Sequence, residues 1–311
     1  SPAHRLAFSY PSPAHRLALS YPTRRGGVDP LSRAVGSGHH HPGGNMSNDS
    51  SSQGSVVKQV QYTSGDASLF AIDQGAGTPL VFLHGGMADH RAGLVVVGQL
   101  VSSLRIIAPD VRGAGRSVFG GELSWDLLAD DLACLMDRLG LERAVIGGIS
   151  AGSAIALRFA LRHSDRASGL VLVSPVYRGT ALGLTQAQCD AMQTMDGFAQ
   201  RALTNGIEAL YPLYDALPEP IRDRAVAMAS QFDVGSVAAT TRFLASGVQP
   251  FDQLEDLAAI ATPTLLIPGK DAEHPPEVAE LYARYLPRCE VASSDQEPQS
   301  AIGRFCVDLP A

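Results

Sequence analysis

The stretch best suited to chemistry is Val145-Ile146-Gly147-Gly148-Ile149-Ser150-Ala151-Gly152-Ser153. A short apolar run leads into Gly148-x-Ser150-x-Gly152, and the helix-forming run Ala154–Ala160 follows. A serine at so tight a strand-to-helix turn needs neighbours without side chains, which the two glycines supply. Its hydroxyl is then held out over the sheet edge at a helix N-terminus, where the helix dipole favours developing negative charge. That arrangement suits attack on a carbonyl. The competing reading is a chance five-residue match in a chain with 31 glycines, and the strand–turn–helix context speaks for the nucleophile. A serine hydroxyl attacks once a base takes its proton, normally a histidine oriented by a carboxylate. The oxyanion then needs two fixed N–H donors, one of them from Ala151, directly after the nucleophile.

Holding such a serine in place calls for a parallel sheet. From residue 57 the sequence alternates strand-like and helix-like runs, the pattern of an α/β domain. Val57–Thr63 and Ser68–Asp73, with Gly65-Asp66 between them, read as a hairpin. Pro79–His84, Arg105–Asp110, Gly169–Ser174, Thr264–Pro268 and Cys289–Ala292 read as further strands. Ser124–Leu139 is a helix by the spacing of its leucines and Met136, with Gly140 placed to stop it. Strand patterns vanish between 177 and 258, where Thr185–Thr204, Gly206–Leu213, Glu219–Gln231 and Ser236–Ser246 read as helices. We expect residues 177–258 to form a cap on a core made of 57–176 and 259–311, over the strand ends where such sheets bind ligands. Residues 1–56 stand apart: Ser1–Pro11 recurs almost unchanged at 12–22, and a Gly/Ser/His-rich piece contains His39-His40-His41 before Met46. The expectation there is a disordered tail, or appended or upstream sequence, with a basic arm or a weak metal-binding tract as the functional alternative.

Four motifs together resemble the α/β-hydrolase superfamily, on its branch of small esterase, haloperoxidase and enol-lactonase relatives. They are Leu83-His84-Gly85-Gly86, Asp110-x-Arg112-Gly113-x-Gly115-Arg116-Ser117, Gly148-x-Ser150-x-Gly152, and Pro263–Asp271 with Pro275 four residues on. The resemblance covers nearly everything from 57 to 311. It implies an α/β fold with a mainly parallel sheet flanked by helices and an inserted helical cap. It also implies hydrolysis of a small carboxylic ester, lactone or related carbonyl compound without a cofactor. By the same resemblance Gly86 supplies the second oxyanion N–H, Asp271 is the carboxylate of the triad, and His84 is a buried residue holding its loop. The Asp110–Ser117 segment is a structural turn near the pocket, since its Gly-x-Gly lacks the rest of a dinucleotide site.

The family's histidine lies after the last strand, where this chain reads Ser293-Ser294-Asp295-Gln296-Glu297-Pro298-Gln299. Only His163 and His274 follow Ser150. His163 ends the helix behind the elbow and is expected to face solvent. His274 is three residues past Asp271 on a loop leaving the same sheet edge. Strands lie about 4.8 Å apart, so a loop two strands from the nucleophile is within side-chain reach. His274 is therefore the candidate base, partnered by Asp271 or Glu273. Against this, His274-Pro275-Pro276 also suits a residue that merely begins a helix. If no base is present, the chain is a small-ligand-binding relative that keeps elbow and pocket without turnover. A third reading takes Ser293–Ala311 as a frame-shifted or divergent tail, although Ile302, Phe305 and Cys306 are spaced for the apolar face of a closing helix.

Composition sets the remaining bounds. Of the 55 charged residues behind the net charge of −7, residues 1–45 hold five arginines against one acid, and the remainder holds 19 basic and 30 acidic residues. An acidic body argues against nucleic acid as a partner. No apolar run approaches ~18 residues and no secretory pattern opens the chain, so neither a membrane nor export is expected. The dispersed Cys134, Cys189, Cys289 and Cys306 read as reduced thiols of a cytoplasmic protein. The partner implied is a small-molecule substrate; oligomeric state is not encoded in these patterns. No metal-ligand spacing occurs outside His39–His41. Met192, Met195, Phe198, Tyr211, Tyr214 and Met228 either line an apolar pocket or pack the cap helices.

Overall fold

Eight strands form one sheet in the order β1-β2-β4-β3-β5-β6-β7-β8. β1 (Lys58–Ser64) and β2 (Ala67–Gly75) make the hairpin, and β2 pairs antiparallel with β4 (Leu104–Pro109). β3 (Thr78–Leu83), β4, β5 (Ala144–Ile149), β6 (Ala167–Val173), β7 (Thr264–Ile267) and β8 (Cys289–Val291) run parallel. The computed structural model describes residues 57–293 and 295–309. The expectations for residues 1–56 therefore lie outside the described residues, as do Ser294, Pro310 and Ala311.

Each central strand is apolar on both faces, as a doubly covered parallel sheet requires. In β3, Val81 and Leu83 join one core with α2 (Trp125–Arg138) and α3 (Ala151–Arg162), while Leu80 and Phe82 join the other. That second core packs under α1 (His90–Val97) and the last helix, which supplies Ala301, Ile302, Phe305 and Cys306. The start of α2 is set by Ser124, whose hydroxyl accepts from the Leu127 N–H, and its end by Gly140 at φ +65°.

No strand occurs between residues 174 and 263. The segment holds α4 (Gln186–Asn205), α5 (Ile221–Ala229) and α6 (Val234–Ala245), followed by 3-10 turns at Leu254–Ala259. Thr185 and Gln188 form a reciprocal capping box at the start of α4. Residues Ile207–Tyr214, expected as α-helix, are 3-10 instead. Pro212 lacks the N–H that an α-helical ladder would use there. This insert has its own small core, in which Leu210, Tyr214, Phe232 and Val237 are buried. α7 (Pro276–Tyr285) and α8 (Pro298–Asp308) complete the chain. Among the described residues, no helix is long and apolar enough to cross a membrane.

Candidate active site

The elbow is a geometric object made by its glycines. Ser150 has φ +55° and ψ −120°, a conformation that non-glycine residues adopt only under constraint. A Cβ on Gly148 would lie 2.4 Å from the Gly152 carbonyl, and one on Gly152 would lie 2.5 Å from the His84 carbonyl oxygen. Backbone thus passes where side chains would stand, and the serine projects beyond it. The three described non-glycine residues with positive φ are Met87, Ser150 and Ser174. They follow β3, β5 and β6, so the strained backbone lies along one edge of the sheet.

At that edge His274 reaches Ser150. Its Nε2 is 2.9 Å from Ser150 Oγ, and its Nδ1 is 3.0 Å from Asp271 Oδ1. Asp271 accepts at Nδ1, so the ring proton sits there and Nε2 is free to accept from the serine hydroxyl. Burial works against the Asp271 charge. The His274 hydrogen bond and charge, joined by the backbone N–H groups of His274 and Glu273, outweigh it and hold the carboxyl below the usual range. His274 also directly precedes Pro275, the N-cap of α7, so the helix-starting geometry and the contact with Ser150 coexist. The Glu273 side chain is not the imidazole's partner; its carbonyl instead accepts from Gln188 Nε2.

The remaining residues singled out by sequence fall into place around this line. Gly86 and Ala151 both border two neighbouring cavities, one of which holds Ser150. His84 is buried, with Nδ1 2.7 Å from the Gly85 carbonyl oxygen and Nε2 accepting from the Val111 N–H at 3.1 Å. Burial lowers its pKa, which matches a neutral ring that donates at one nitrogen and accepts at the other. His163 does not stand free in solvent: its Nε2 lies 2.8 Å from Asp130 Oδ1, on the side of α3 that faces α2. Of the apolar insert residues, Met192 and Met195 border the Ser150 cavity, whereas Phe198, Tyr214 and Met228 pack inside the insert.

Two arrangements carry no sequence signal. Ligand-type atoms of Asp89, His90 and Asp110 come within 4.8 Å of one another, although no such spacing shows in the sequence. The pairing of β3 with β4 brings together loops 20 residues apart. These atoms are already engaged: Asp89 holds Arg91 and caps α1, while Asp110 accepts from His90 and from the Arg116 N–H. The second is Arg112, fully buried and paired with Asp131 through Nε at 2.9 Å and Nη2 at 2.7 Å. This pair fixes the Asp110–Ser117 turn under the pocket.

This fold and this elbow define a class. The profile of the α/β hydrolase fold family matches residues 78–213. The chain is 28% identical to the AB hydrolase superfamily protein YisY of Bacillus subtilis over 72% of its own length and 85% of that protein. It is 29% identical to a 2-hydroxymuconate semialdehyde hydrolase of Pseudomonas putida over 70% of its length and 79% of that protein. Among solved structures, an esterase of Thermogutta terrifontis superposes with a TM-score of 0.61 at 28% identity, covering 75% of this chain and 88% of that one. The chain has the α/β-hydrolase fold, and its sequence is similar to hydrolases of that superfamily.

Proposed function

We propose that the protein is a serine hydrolase of small carboxylic esters, lactones or related carbonyl compounds, with Ser150, His274 and Asp271 as its catalytic residues. The observation that carries this reading is the unbroken line from Ser150 Oγ to His274 Nε2 at 2.9 Å and from His274 Nδ1 to Asp271 Oδ1 at 3.0 Å. His274 takes the Ser150 proton as Oγ attacks the carbonyl carbon, and the charged ring is stabilised by Asp271. The tetrahedral oxyanion is held by the N–H groups of Gly86 and Ala151. Collapse expels the alkoxide, which receives the proton from His274. Water then attacks the acyl-serine with His274 again as base, releasing the acid. Residues 177–258 act as the cap that walls the pocket, as Met192 and Leu244 support by bordering the Ser150 cavity. The hydrolase and esterase names of the relatives support the same class of reaction. A binding protein without a base is the weaker reading, because a base-competent nitrogen lies at hydrogen-bond distance from the serine.

A panel of short esters and lactones tests this with purified wild type and Ser150→Ala. Turnover lost in the variant, with its melting temperature retained, supports the serine mechanism. Turnover retained in Ser150→Ala contradicts it.

A further inference from the structure

Two neighbouring cavities differ in chemistry. One holds Ser150 and His274, with Met192 and Met195 of α4 in its wall. The other is apolar and aromatic, lined by Trp125, Leu128, Phe232, Val237 and Phe243. Polar side chains along that second wall are already partnered. Thr240 Oγ1 donates to the Gly113 carbonyl, Ser236 Oγ donates to Asp233, and the Arg112 guanidinium is paired with Asp131. The second cavity is therefore a hydrocarbon chamber.

The two cavities share three wall residues, Gly86, Ala151 and Leu244. Gly86 has no side chain and Ala151 only a methyl, so Leu244 is the one bulky group common to both walls. Its tip is placed atom by atom. A Cβ built on Gly86 would lie 3.1 Å from Leu244 Cδ1, inside the 3.4 Å at which ordinary contact begins. Leu244 Cδ1 thus fills the space that a side chain on the loop after β3 would otherwise take.

Leu244 stands in the last turn of α6 and is buried. The helix end that carries it is tied to the core on both sides. One turn earlier, Thr240 Oγ1 reaches the Gly113 carbonyl at 3.1 Å. Beside it the Phe243 ring packs on Trp125 at 4.9 Å, and just past the helix Trp125 Nε1 donates to the Val248 carbonyl at 2.9 Å. With its backbone held in this way and its side chain packed, the leucine is a fixed partition between the cavities.

We infer that Leu244 is the size-determining residue of the site: its side chain confines a substrate arm to the Ser150 cavity and closes off the hydrocarbon chamber. Removing the δ-carbons joins the two spaces and admits a longer aliphatic arm. This rests on the serine-hydrolase reading above, and the experiment separates the two.

Methyl octanoate is compared with methyl butanoate, and octyl acetate with butyl acetate, so that the longer arm lies on the acyl side in one pair and on the alcohol side in the other. Rates are read by pH-stat in wild type, Leu244→Ala, Leu244→Val and the volume-conserving Leu244→Met. Each methylene newly buried in the chamber is worth roughly 4-fold, so opening it raises the long-to-short ratio of kcat/KM by at least about 10-fold in one pair for Leu244→Ala. Leu244→Val also lacks the δ-carbons and moves the same way, which keeps the test independent of the folding of one variant. Leu244→Met keeps the wild-type ratio. A smaller rise in both pairs for the folded Ala and Val variants overturns the inference, as does an equal rise in Leu244→Met. So does a wild type that already favours the octyl arm by about 10-fold or more. If wild type hydrolyses none of these esters, the hydrolase reading fails. Dissociation constants of the same esters, measured by calorimetry, then supply the ratios and decide the partition by the same criteria.

Discussion

Gly269 offers a severe test of the triad geometry, because it touches the proposed base from behind. It follows β7, two residues before Asp271. A Cβ added there would lie 2.0 Å from the His274 carbonyl oxygen and 2.4 Å from the His274 Cβ. The nearer obstacle is backbone, which cannot swing aside as a side-chain tip does. Ordinary contact begins near 3.4 Å, so His274 must retreat by about 1 Å, carrying its imidazole with it. The 2.9 Å contact between Nε2 and Ser150 Oγ would then stretch past the range of a hydrogen bond. Misplacing a catalytic group by about 1 Å costs on the order of 10²-fold. We therefore predict that Gly269→Ala lowers both kcat/KM for an ester substrate and the second-order rate of labelling by a fluorophosphonate by about 10²-fold. Gly120→Ala is the matched control: its added Cβ meets nothing within 4 Å. Stopped labelling reactions read by intact mass give both rates, and thermal melting confirms that each variant is folded. Labelling of Gly269→Ala at the wild-type rate would refute the placement of His274 as base.

Two further predictions concern stability. Glu273, raised to about 7 chiefly by burial, keeps a proton in the folded chain that the unfolded chain releases from about pH 4.5 upward. The native state thus binds more protons across this window, and the contribution of Glu273 to stability falls as pH rises from about 4.5 to about 7. Glu273→Gln should gain on the order of 1–3 kcal/mol over wild type at pH 8 and nothing at pH 4, read from urea midpoints; the same difference at both pH values would contradict this. Asp131→Ala leaves the Arg112 guanidinium, with a side chain 1% exposed, facing the Ser64 carbonyl, the Phe119 ring and a 3.5 Å contact to exposed Asp66. Breaking such a pair from one side costs about 3–5 kcal/mol, whereas the double change Arg112→Met with Asp131→Leu should recover most of it. A loss below about 1 kcal/mol in the single variant would show that the pair is hydrated.

What could be read in advance was what local chemistry decides. Strand–turn–helix punctuation around Ser150, the hairpin pivot at Gly65, and the Ser124 and Gly140 ends of α2 all rest on residues within a few positions of each other. The α/β-hydrolase fold followed from that alternation and from four motifs. The helix α1 was missed, since His90–Val97 holds a glycine and three consecutive valines, a run of weak helix formers. Its stability comes from the Asp89 cap and from burying Val96 and Val97 against the sheet. Ser150, Asp271 and His274 could be named from sequence. That His274 Nε2 lies within hydrogen-bond distance of Ser150 depends on the order β5-β6-β7 and on the tight packing of Gly269 against His274.

The central claim, a serine activated by a histidine on the loop after β7, is tested most directly by fluorophosphonate labelling of wild type, Ser150→Ala and His274→Ala, followed as intact mass against time. The account predicts a single adduct on wild type, none on Ser150→Ala, and labelling of His274→Ala slowed by about 10²–10⁴-fold, the usual contribution of a general base. Folded wild type that takes up no probe, or His274→Ala labelled as fast as wild type, would contradict it.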